Sequence, residues 1–135
     1  MFIKKFADCD TITMRGINDP AIEVVVTEMF RPQDGFDLAY NVAQFFVPKG
    51  KRTDRYHLTS TTELWFIKEG VGIAEIAGKS IELDKNMLVY INPGEERCFK
   101  NIGDGPLVYH SIAQPPFRPE DVVSLEECSL TFKNS

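Results

Sequence analysis

The chain has only two histidines, His57 and His110, and the first sits in the stretch where reactive side chains are densest. Residues 50–72 read GKRTDRYHLTSTTELWFIKEGVG. On its loop His57 is either a plain surface residue or a general base at a cavity mouth, work that suits an imidazole because its ordinary pKa lies near neutrality. Six residues later Glu63 opens the apolar run Leu64-Trp65-Phe66-Ile67. A carboxylate there must face either solvent or a cavity lined to receive it. Cys9, Cys98 and Cys128 are odd in number and lack metal-type spacing, so they read as reduced thiols. Nothing in the sequence brings a cysteine to His57 as a nucleophile–base pair.

These residues are positioned by strands. Residues 21–30, AIEVVVTEMF, are β-branched and bounded by turn clusters. Further strands are expected at 36–47, 63–68, 72–76, 79–83, 87–91, 97–101 and 107–113. Between them lie Glu69-Gly70, Ala77-Gly78, Asp84-Lys85-Asn86, Asn92-Pro93-Gly94 and Gly103-Asp104-Gly105-Pro106. Short strands at close regular spacing predict an all-β sandwich or barrel. No helical period appears before residue 119, and residues 119–127 suit one helical turn with Pro119 first. The whole of 1–135 reads as one domain, with a barrel core at about 21–114 and a tail at 115–135.

Alternation from Glu63 puts Trp65 and Ile67 on its face and Leu64 and Phe66 on the other. Both faces are apolar, so both are covered, and a second copy of the chain is the expected outer cover. A homodimer follows. Trp65 is then core or cavity wall. Tyr40, Gln44, Tyr109 and His110 lie on strands able to line a cavity, although the adjacent Tyr109 and His110 must face opposite sides.

The composition is that of a globular domain, 43% apolar and 26% charged. Fifteen basic against twenty acidic residues give a net charge of -5, and no basic cluster exceeds Lys49-Gly50-Lys51-Arg52. Nucleic acid is not an expected partner. No apolar run approaches the ~18 residues of a membrane span, and the first residues build no signal-type apolar core. A cytoplasmic location is expected.

Gly50, Glu63, the strand and turn Leu64-Trp65-Phe66-Ile67-Lys68-Glu69-Gly70, the turn Asn92-Pro93-Gly94 and Asn101 follow the order of two motifs. Together with the tail Pro115-Pro116-Phe117-Arg118-Pro119-Glu120-Asp121, this order resembles the cupin family over roughly residues 36–121. The resemblance implies a double-stranded β-helix, or jelly-roll barrel. The family's metal ligands are not matched. Its two histidine positions fall on Tyr56 and Leu58 with His57 between them; one extra residue in the following loop would shift them to Arg55 and His57. The histidine of the second motif falls on Arg97, and the opening glycine on Asn86. A guanidinium cannot ligate and repels a divalent cation, so no metal and no other cofactor is expected.

The resemblance implies that Glu63 and Arg97 face one another inside the barrel, as a structural ion pair, as a clamp for an anionic ligand, or as both. The expected activity is binding of a small polar or anionic molecule by Glu63, Arg97, Trp65 and Tyr40. One alternative is an enzyme like the metal-free sugar epimerases and isomerases of the family, with His57 as base and Tyr56 as acid. The other is a metal-dependent oxygenase in which His57 and Glu63 are joined by further ligands, such as His110.

Overall fold

The computed structural model describes residues 1–35 and 37–133. Its twelve strands are β1 (Asp10–Gly16), β2 (Glu23–Phe30), β3 (Asn41–Val47), β4 (Tyr56–Leu58), β5 (Thr62–Glu69) and β6 (Gly72–Ile76), followed by β7 (Lys79–Leu83), β8 (Leu88–Ile91), β9 (Arg97–Asn101), β10 (Leu107–Gln114), β11 (Val122–Ser124) and β12 (Cys128–Lys133). Helical structure is confined, among the described residues, to single 3-10 turns at Phe6–Asp8, Pro32–Asp34 and Pro119–Asp121. None of them is long or apolar enough to cross a membrane.

Every strand pairs antiparallel with its neighbours, in two sheets. The larger has the order β12-β1-β2-β3-β10-β5-β8 and the smaller β11-β4-β9-β6-β7. The core lies between them, drawn from both: Val24, Val47, Trp65 and Ile67 from one, Ala74, Ile76, Leu83 and Phe99 from the other. The aromatic rings touch in series, with Trp65 and Phe99 centroids 4.0 Å apart, Phe99 and Tyr109 4.4 Å, and Tyr109 stacked on Phe45 at 4.9 Å. This is an all-β jelly-roll barrel with an aromatic interior.

The tail carries its expected single helical turn, with Pro119 first. Only Pro119–Asp121 is helical, and β-branched Val122 and Val123 then extend as β11 alongside β4. The sheets also reach beyond 21–114, because β1 and β12 pair with one another from Thr11 opposite Lys133 to Gly16 opposite Cys128. The strand expected over 36–47 begins at Asn41; residue 36 lies outside the described residues. Asn86, at the motif's glycine position, has φ of 72°. Asparagine is the residue other than glycine that tolerates this left-handed geometry best, so the turn survives the replacement.

Candidate functional site

Glu63 enters β5 opposite Ala113 of β10 and Ile91 of β8. Alternation along β5 then buries Glu63, Trp65 and Ile67 and leaves Phe66 39% exposed. Arg97 opens β9 in the other sheet, opposite Ile76 and Tyr56. The two charges therefore meet across the core: Arg97 Nη1 donates to Glu63 Oε1 at 2.5 Å, with Arg97 0% and Glu63 4% exposed.

Every side-chain nitrogen and oxygen of the pair has a partner within the protein. Glu63 Oε2 accepts from the Ser111 hydroxyl at 2.7 Å and from Trp65 Nε1 at 3.4 Å, and Oε1 also accepts from the Tyr56 hydroxyl at 3.3 Å. Arg97 gives Nε–H at 3.1 Å and Nη2–H at 2.8 Å to the Glu95 carbonyl, and Nη2 reaches the Asn92 carbonyl at 3.5 Å. The Asn92-Pro93-Gly94 turn thus wraps the guanidinium. No buried side-chain nitrogen or oxygen among the described residues lacks a partner. This arrangement meets the requirement that a buried ion pair have its remaining donors and acceptors satisfied.

Tyr56 pairs with Arg97 in register, and its ring lies 5.4 Å from the guanidinium carbon. The phenol is enclosed, although the residue as a whole is only half-buried. Burial, reinforced by the Glu63 carboxylate, pushes the Tyr56 phenol well above its ordinary pKa, and burial does the same for Tyr109. Both remain protonated donors at physiological pH.

His57 follows Tyr56 on β4, so its side chain leaves on the opposite face of that strand. Its register partner is Val123 of β11, and it makes no side-chain hydrogen bond among the described residues. The His57–Tyr56 base–acid couple is therefore not formed. His110 is likewise on the outer face of its sheet, 3.0 Å from Gln44 Oε1, while its neighbour Tyr109 points inward with 1% exposure. Tyr40 is 41% exposed and does not join Glu63. Instead it lines a concavity of about 560 Å³ on the outer face, with Phe2, Phe30, Leu38, Val42 and Ile112. Trp65 is both core and site, 1% exposed, with its indole N–H on Glu63.

One residue escaped the sequence reading. Asp54, 4% exposed, accepts a 2.7 Å hydrogen bond from Ser124, which stands opposite Tyr56 on β11. Burial raises the pKa of its carboxyl. Its charge is felt by Tyr56 and Tyr109 alike. The available signal was spacing: Asp54 lies two residues ahead of Tyr56, the same-face interval of extended chain.

A divalent metal does not fit this site. Glu63 is committed to four donors, one a permanent cation, and the two histidines lie on other faces. Among the described residues, no three of His, Cys, Asp and Glu converge to hold an ion.

Residues 44–113, just over half of the chain, match the family described as the cupin domain. The chain is a cupin. It is 28% identical over 102 residues to an uncharacterized protein of Methanocaldococcus jannaschii, covering 76% of this chain and 82% of that one. Among solved structures, this cupin superposes on the polyketide cyclase RemF from Streptomyces resistomycificus with a TM-score of 0.71, at 18% identity, over 94% of this chain and 87% of that one. Pac13 of Streptomyces, described as a nucleoside dehydratase, gives 0.69 at 11% identity over 96% and 94%. A predicted oxalate decarboxylase of Thermotoga maritima gives 0.68 at 16% identity over 84% and 99%. At these identities the likeness is one of fold.

Proposed function

We propose that this cupin binds a small, uncharged polar molecule without a metal ion, at the end of the barrel where Tyr56, Asp54 and Tyr109 meet. The observation that carries this reading is the charge inventory. Of the two buried carboxylates here only Glu63 is paired with the buried guanidinium of Arg97, which gives its other hydrogen bonds to two backbone carbonyls, while Asp54 is held by the Ser124 hydroxyl. An anionic ligand would find no free cation there and would have to displace Glu63. A hydroxyl-bearing ligand would find the Tyr109 phenol as a donor, the Tyr56 hydroxyl oxygen as an acceptor and a carboxyl, Asp54, that burial biases toward its neutral form. The Glu63–Arg97 pair serves as a fixed floor. The thiols of Cys98 and Cys128 agree with a reducing, cytoplasmic setting.

A second reading, acid–base catalysis of the isomerase type, is favoured only in altered form. Asp54 rather than His57 would exchange the proton with Tyr56 as its partner, because Asp54 shares the inward side. Among the similar folds, three variants of Streptomyces PAC13 hold uridine, which supports a neutral, hydroxyl-rich probe.

The test is calorimetric titration with uridine, glucose and inositol, each against its monophosphate. At least one neutral compound should bind and should outcompete its phosphorylated form. Tyr56→Phe should weaken it roughly tenfold, the scale of one hydrogen bond. Tighter binding of the phosphates, or an unchanged affinity in the variant, would overturn the proposal. So would stoichiometric metal in untagged protein.

A further inference from the structure

The outer face of the larger sheet is unlike the rest of the surface. Across β3, β10, β5 and β8 its side chains alternate outward as Val42, Gln44 and Phe46, then Val108, His110 and Ile112, then Leu64 and Phe66, then Leu88 and Tyr90. None of these carries a fixed charge, although 26% of the chain is charged. One side of the face projects: Leu88 is 71% exposed, Tyr90 62% and Phe66 39%. The other side is hollow, the concavity of about 560 Å³ between Phe30, Tyr40, Val42 and Ile112.

At ~150–250 Å² per aromatic side chain, the exposed parts of these groups leave on the order of 600 Å² of apolar surface in one patch. That matches or exceeds the largest patch of an ordinary monomer and supplies most of the roughly 800 Å² that each partner contributes to a standard interface. A ridge and a hollow on the same face suit an isologous pair, in which a two-fold axis sets each ridge into the other copy's hollow. Two acidic chains of net charge -5 repel across most of their surfaces, and they can meet on a face whose charged groups are confined to Lys68 and Glu69 at the end of β5.

His110 stands near the middle of this face. Its ring nitrogen is bonded to the neutral Gln44 on β3, and its register neighbour on β5 is Phe66. Lys68, next along β5 on the same side, is the charged group that acts on it, and Thr27 of β2 lies beyond Gln44. Among these neighbours no carboxylate faces the imidazole to offset a positive charge. Burial and Lys68 both lower its pKa, so protonation is already disfavoured before a partner covers it.

We infer that this face is the interface between two copies of the chain, and that protonation of His110 within it drives the copies apart as pH falls. The neutral imidazole is accommodated above its ordinary pKa of about 6.5. As pH falls below that value, the separated chain takes up the proton more readily than the pair does, so association weakens. The inference is independent of the ligand proposed for the barrel.

Sedimentation velocity at pH 7.5 and pH 5.0 tests both halves. The unchanged protein should be a dimer at micromolar concentration at pH 7.5, with its dissociation constant rising at least tenfold at pH 5.0. Tyr90→Glu and Leu88→Asp should each yield a monomer with unaltered circular dichroism, since both side chains are exposed in the single chain. Leu130→Glu, on the exposed edge strand β12, should leave the dimer intact. A monomer at pH 7.5, a dimer that survives Tyr90→Glu with Leu88→Asp, or a dimer lost through Leu130→Glu would overturn the assignment of the face. His110→Gln should dimerise at both pH values, and retained pH dependence in that variant would overturn the role of the histidine.

Discussion

At the scale of single residues, Glu63 and Arg97 define what the barrel interior tolerates. Either one alone would be an uncompensated buried charge, and removing one partner of such a pair typically costs about 3–5 kcal/mol. Arg97→Met should therefore destabilise by that amount in urea denaturation. Adding Glu63→Gln should recover part of it, because the new amide oxygen can still accept from Ser111 and Trp65 without carrying charge. A double variant no more stable than Arg97→Met would show that the arginine matters through its carbonyl contacts at Glu95 and Asn92 instead. Asp54 works in the opposite sense. Its folded-state pKa is raised above the ordinary 3.8, so the stability tied to it is complete below that value and is lost as pH rises. Asp54→Asn keeps an acceptor for Ser124 and should raise the urea midpoint more at pH 7.5 than at pH 4.0. An equal shift at both would mean the carboxylate is better solvated than its 4% exposure implies.

At the scale of elements, most of the fold was legible because turns punctuate it. β6, β7 and β9 begin and end where glycine, proline and asparagine clusters place them. β4 was not legible, since three residues between polar loops carry no period, and that one strand decides that His57 faces away from Tyr56. β1 and β12 escaped for a related reason: they are half-exposed or exposed, so burial imposes little alternation on their sequences. In the site, the facing of Glu63 and Arg97 was available through the motif order. Asp54 was hidden by the lack of any reason to treat residues before Tyr56 as extended. The β6–β7 hairpin carries a testable irregularity. Its two loop residues, Ala77 and Gly78, have φ of 50° and 79°, and the left-handed region costs alanine roughly 1–2 kcal/mol. Ala77 is exposed, so Ala77→Asn should stabilise by about 0.5–1 kcal/mol and raise the melting temperature by a few degrees. A fall would mean that the methyl group packs against something the loop needs.

At the scale of the whole molecule, the tail is part of the barrel's closure. Arg52, ahead of β4, binds Glu126 through both nitrogens at 2.8 and 2.9 Å and Asp19 at 2.8 Å, while Glu126 also accepts the Arg55 backbone N–H at 2.8 Å. One guanidinium thus ties the β1–β2 loop, the approach to β4 and the segment before β12. Hydrogen bonds from Arg52 hold Glu126 below its ordinary 4.5, so this tie is complete at neutral pH and loosens as pH falls through that range. Beyond it, β12 lies along β1 with Lys133 opposite Thr11. The first and last strands are then neighbours, and the order in which the chain visits its strands is separable from the barrel they form. A circularly permuted gene that joins residue 133 to residue 10 through a short glycine-serine bridge, and opens instead between Ala77 and Gly78, should encode the same barrel. Near-native circular dichroism and a single cooperative melt would show it, and a molten product would mean that the β6–β7 hairpin must form early for the sheets to close.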